Sequence, residues 1–106
     1  MTDQENDALN IRYLALGRLI AGECPAGFAT ARLRMEVQGD QTRLWLDSTQ
    51  PDGTEVQLQP SEAGARDILE SLRGIRKAMA EKNGASWRSC VVTLKAGGHF
   101  AMEVED

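Results

Sequence analysis

Residues 29–38 read ATARLRMEVQ, and within them Ala31, Leu33, Met35 and Val37 alternate with Arg32, Arg34, Glu36 and Gln38. A period of two is the pattern of a β-strand with one buried face and one wet face. Downstream, Gly39-Asp40 supplies a turn, and TRLWLDS at 42–48 sets Leu44 and Leu46 on the core side. The run QPDGT at 50–54 is a strong turn signal. A short third strand follows, with Val56 and Leu58 inward and Glu55, Gln57 and Gln59 outward. Upstream, in ALNIRYLALGRLIA at 8–21, Leu9, Tyr13, Leu16 and Ile20 recur at spacings of four and three, one face of a helix. Thr2 with Glu5, or Asp7 alone, offers its cap, and Gly22 and Pro25 are expected to stop it.

Beyond the third strand, Pro60-Ser61 opens a second helix with Ser61 as N-cap. Its apolar stripe is Ala65, Ile68, Leu69, Leu72, Ile75 and Met79, and Asn83-Gly84 provides a left-handed stop after residue 82. In SWRSCVVTLKAGGHFAMEVED, 86–106, Cys90, Val92 and Leu94 alternate on one strand. Phe100, Met102 and Val104 do so on the next, across Ala96-Gly97-Gly98. The order is α-β-β-β-α-β-β. It predicts a single α+β domain over 1–106, an antiparallel sheet with both helices packed on one face. Strand order stays open, because the last two strands can join either edge.

The chain has 106 residues, enough for one domain with one core. Its 42% hydrophobic and 26% charged residues argue for a globular protein rather than disorder. The net charge is -4, yet Asp3, Glu5, Asp7, Glu103, Glu105 and Asp106 crowd the two ends, leaving ten acids against twelve basic residues between them. No basic stripe points to nucleic acid. The start, MTDQEND, lacks a positive end and an apolar core, and no stretch has the 18 apolar residues of a membrane span. A cytoplasmic protein is expected, with Cys24 and Cys90 as reduced thiols.

Two cysteines and one histidine do not complete a zinc site, and no metal or cofactor is expected. A nucleophile needs a base held in place, and no motif positions His99 as one. Asp52-Gly53 lacks the later ligands of a calcium loop, and Ala96-Gly97-Gly98 has no helix behind it to cradle phosphate. The expectation is a protein without catalytic activity. What stands out is the sheet face opposite the helices, which by parity carries Arg32, Arg34, Glu36, Arg43, Trp45, Asp47, Glu55, Gln57, His99 and Glu103. Trp45 is the anomaly there, since Leu44 and Leu46 claim the core side. Tryptophan and arginine are enriched at binding hot spots, but a tryptophan also covers a bare sheet beside a cross-strand arginine such as Arg34. Trp87, opening the fourth strand, reads as an end plug for the core. The partner-binding candidates are Arg34, Trp45, Asp47, Glu55, His99, Glu103, Glu105 and Asp106.

The C-terminal half, ILESLRGIRKAMAEKNG followed by SWRSCVVTLKAGGHFAMEVED, resembles the YezG-like immunity proteins of bacterial polymorphic toxin systems. In that family a helix ends in a polar turn, a Trp opens a strand, and a Gly-containing hairpin leads to a Phe-led strand ending in acids. Trp87, Gly98, Phe100, Glu103, Glu105 and Asp106 fit that pattern, whereas Val104 stands near where the family usually carries an aromatic. The resemblance covers nearly the whole chain in order of elements and about the last 40 residues in motif. It implies an intracellular antitoxin that binds and blocks the C-terminal domain of a secreted toxin, often a nuclease. On that reading Glu103, Glu105 and Asp106 stand in for phosphates in a basic active site.

The competing class is a dimeric secretion chaperone that holds an effector before export, which the small acidic chain and its element order also resemble. No apolar patch beyond the core stripe is apparent for the large interface such a dimer needs.

Overall fold

The computed structural model describes residues 2–84 and 87–105, with side chains from residue 9 onward except 82 and 83. The elements are α1 (Thr2–Glu23), β1 (Thr30–Gln38), β2 (Gln41–Thr49), β3 (Glu55–Leu58), α2 (Glu62–Asn83), β4 (Ser89–Lys95) and β5 (His99–Glu105). The fold is the expected α+β arrangement. One antiparallel sheet has the order β3-β2-β1-β4-β5, so the alternating strand that reveals the fold lies at its centre. The C-terminal hairpin joins the β1 edge of the three-strand meander, which settles the order that periodicity left open.

Register turns the alternation into two faces. One inward row runs Leu58, Leu46, Leu33, Val92 and Met102 across all five strands. Helix residues Leu16, Ile20, Ile68, Leu72 and Ile75 close over that face, forming one cluster with Ala31, Leu33, Met35, Leu46, Cys90, Val92, Leu94 and Trp87. The helices lie antiparallel, and their ends are tied. Glu23 Oε1 accepts from the Ser61 N–H at 3.2 Å and the Ser61 hydroxyl at 2.7 Å, while Ser61 Oγ accepts from the Gly64 N–H at 3.0 Å as the predicted N-cap. A Cβ at Gly64 would overlap the Glu23 carboxylate, so the close approach needs glycine there. Gly84, at φ 74°, ends α2 as predicted, its N–H donating to Ala80 O at 2.7 Å.

Trp87 is the expected plug. It is buried, and Arg76 places its guanidinium 5.8 Å from the ring centroid while donating through Nε to the Trp87 carbonyl at 2.7 Å.

Three expectations are corrected. α1 begins at Thr2, beside the earlier of the two expected caps, but passes through Gly22 where a stop was expected, because an exposed glycine weakens a helix without ending it. The proposed Thr2, Glu5 and Asp7 caps fall on side chains outside the described set. Ile11 and Leu14 are 66% and 64% exposed, so α1 has apolar residues on a second side that the stripe reading passed over. Val104 has inward parity but is 39% exposed, since the helix layer does not reach that end of β5.

Candidate functional site

Among the described residues, no element covers the face opposite the helices. Every described candidate residue lies on it: Arg34, Trp45, Asp47, Glu55, His99, Glu103 and Glu105 all have outward parity. Asp106 lies outside the described residues. Pairing fixes the cross-strand rows. Trp45, Arg34, Val91 and Glu103 form one; Gln57, Asp47, Arg32, Thr93 and Ala101 form the next; Glu55, Thr49, Thr30, Lys95 and His99 form a third. Glu55 and His99 therefore mark opposite edges, four strand spacings or about 19 Å apart. They cannot touch one small ligand together, but one protein surface can span both.

Arg34 and Trp45 are direct cross-strand neighbours, with the guanidinium 5.3 Å from the indole ring centroid. Arg34 also donates to Glu36 Oε1 at 2.6 Å. Both partners of that ion pair keep solvent contact, so it is worth at most about 1 kcal/mol and serves mainly to orient the guanidinium over the ring. Trp45 is half-buried by this arrangement, which pre-organises a flat aromatic on an otherwise polar surface.

The strand order adds a feature that parity alone does not reveal. β4 shows small side chains outward, Ser89, Val91 and Thr93, between the arginines of β1 and the acids of β5. A shallow trough results. Arg32, Arg34, Val91 and Glu103 line its depressions, one of about 500 Å³ that extends to Asp47 and Glu55 and one of about 180 Å³ that reaches Glu105. The two arginines of β1 (with Glu36 beside Arg34), a neutral floor and the acids of β5 stand side by side, and Arg32 and Val91 belong to the site although neither was a candidate.

A larger concavity lies elsewhere. A groove of about 840 Å³ separates α1 from the β4–β5 turn, with Tyr13, Leu14, Phe28, Leu94 and Phe100 as apolar walls and Arg18, Lys95 and His99 at its rim. Tyr13 and Phe100 stack within it, ring centroids 5.4 Å apart. His99 thus stands where the candidate face meets this groove.

Neither thiol is activated. Burial pushes Cys90 up to about 11, partly offset by a backbone hydrogen bond with Met35. Burial, with the nearby Glu23 charge, also raises Cys24 above its ordinary value. Both sulfurs therefore stay protonated near neutrality, opposite to what a nucleophile requires. The Asp52 carboxyl is lowered by hydrogen bonds from the Thr54 backbone and side chain, as a turn-stabilising residue should be. Among the described residues no group of three or more His, Cys, Asp or Glu is placed to hold a metal, and no described helix is long and apolar enough to cross a membrane.

No protein-family model matches this chain, and no curated protein matches it in sequence.

Proposed function

We propose that this protein is an intracellular immunity protein that binds the C-terminal toxin domain of a secreted bacterial toxin and blocks it. The observation that carries the reading is the uncovered five-stranded face, on which Arg34 braces Trp45 beside a trough running between the arginines of β1 and the acids of β5. Buried aromatic and arginine anchors supply most of the energy in protein interfaces, and charge complementarity supplies orientation and association rate. The acids of β5, Glu103 and Glu105, suit a basic partner surface such as a nuclease active site, where carboxylates occupy the positions of phosphates. The resemblance of residues 68–106 to YezG-like immunity proteins supports the same reading.

The test begins with the tagged protein as bait in its own host's lysate. The expected catch is a large secreted protein, held through a C-terminal domain that is toxic when expressed alone and harmless when co-expressed with this chain. Trp45→Ala is then expected to weaken binding to that domain at least tenfold while leaving the melting temperature within about 2 °C. An effector caught through an unfolded N-terminal segment and still active would overturn the reading in favour of a secretion chaperone.

A further inference from the structure

The two edges of the sheet are built differently. β3 has four residues between Pro51 and Pro60, and a short, proline-flanked strand is a poor template for another chain. β5 has seven residues, no proline or glycine, and no charge on its helix side, which presents Phe100, Met102 and Val104. Of the usual guards of an edge, β5 lacks inward charges, prolines and bulges and keeps only the outward charges of Glu103 and Glu105. Its cover is also incomplete. Five strands at about 4.8 Å span roughly 24 Å, whereas two helices of about 10 Å cover roughly 20 Å. α1 lies against β1 and β4 and covers the start of β5 through Tyr13 on Phe100, so the uncovered strip falls on the Val104 end of β5. The exposed large apolar residues among those described, Ile11, Leu14 and Val104, all belong to the two elements that border this strip.

We propose that β5 is the interface of a homodimer in which two copies pair edge to edge and join their sheets into one of ten strands. In a two-fold antiparallel pair, overlap of all seven residues is centred on Met102. That register sets Met102 against Met102 of the second copy, Phe100 against Val104 and Ala101 against Glu103. His99 then stands against Glu105, a donor opposite a carboxylate at each end of the seam. Val104 of the second copy enters the open side of the apolar groove beside Phe100, which covers the side chain that the monomer leaves bare. Recentring on Glu103 brings Glu103 against its own copy and costs the like-charge pair. Recentring on Ala101 leaves Val104 without a strand partner. The side-chain sequence of β5 thus complements itself in one register.

The contact is small beside the interfaces of about 1,200 Å² or more that make stable complexes, so the dimer forms in a concentration-dependent way. Pairing through β5 leaves β3 free and closes the assembly at two copies. It also makes the two outer faces continuous, with four glutamates, Glu103 and Glu105 from each copy, along the seam.

Sedimentation velocity over a concentration series tests this without any toxin, so a failure here and a failure of the proposed function are read separately. The wild-type protein is expected to shift from the monomer mass to twice that mass. Val104→Lys, at a solvent-exposed position the fold tolerates, is expected to weaken dimerisation at least tenfold with an unchanged circular dichroism spectrum. Gln57→Lys, on β3, is expected to leave it intact. His99→Glu is expected to weaken the dimer, and adding Glu105→Lys to restore it, which reports the register directly. A monomer at every concentration overturns the proposal. A dimer that resists Val104→Lys but yields to Gln57→Lys overturns it too, by placing the contact at the other edge.

Discussion

Leu33 and Arg34 are consecutive residues of β1 and belong to different environments. Leu33 is fully buried in the middle of an apolar row that crosses the whole sheet, while the Arg34 side chain is 57% exposed above the indole of Trp45. The same backbone serves both faces. The helix-side face holds the fold together and is nearly all apolar, whereas the opposite face contributes little to the core and is free to carry charge, aromatic surface and a trough. A sheet covered by helices on one side only separates stability from recognition in this way, so substitutions on one face should be felt little by the other.

The sharpest way to break that separation is to truncate both neighbours. Leu33→Ala is expected to cost about 2–5 kcal/mol in urea unfolding, and Arg34→Ala less than about 1 kcal/mol. Similar losses would mean that the outer face is structural. A smaller effect comes from pH. Cys90 is 2% exposed on the helix side, and its thiol ordinarily ionises near 9.0 but is raised to about 11 here. A thiol held neutral by the fold contributes stability that is present below pH 9 and is lost as pH rises through 11. Unfolding at pH 8 to 11 should therefore show a decline on the order of 1–2 kcal/mol that Cys90→Ala does not share. The smallest effect sharpens the comparison from within. Ser48 is the buried polar residue of the helix-side face, and its hydroxyl has no hydrogen-bond partner. Ser48→Ala is expected to raise stability by up to about 1 kcal/mol, measured by thermal unfolding, because it removes an unpaired polar group without opening a large cavity.

Much of this architecture was legible from local patterns. The alternation at 30–38 named the two faces of β1, the stripe from Ile68 to Ile75 named the buried side of α2, and Ser61 and Gly84 marked its ends. Each of these depends on residues a few positions apart. The candidates Arg34 and Trp45 were legible for the same reason, since a tight hairpin sets them opposite each other. What was not legible depends on which segments meet after long separations. Nothing local says that β4 docks on β1, so the β4 floor between the arginines of β1 and the acids of β5 and the place of Arg32 and Val91 in it emerge only with the strand order. The groove behind His99 and the exposure of Val104 follow from the width of the helix layer, which no periodicity encodes. Ser48 departs from the apolar rule at a position where the pattern alone would place a hydrophobe.

The central strand also has a consequence for how the molecule is made. β1, β2 and β3 are contiguous in sequence, so the meander can form while the rest of the chain is still being synthesised. The second edge of β1 waits for β4, which begins more than fifty residues after β1 ends. Pairing across so long a loop is the slow, entropically expensive step of folding, and until it happens the middle of the finished sheet is a bare edge. A chain released short of residue 89 would display Arg34 and Trp45 without Val91, Glu103 or Glu105 beside them, and its most hydrophobic row would stop at Leu33. Such a fragment would be sticky and would lack half the recognition surface. Completion is therefore close to all-or-none, and a truncated product should aggregate rather than act as a weaker version of the whole.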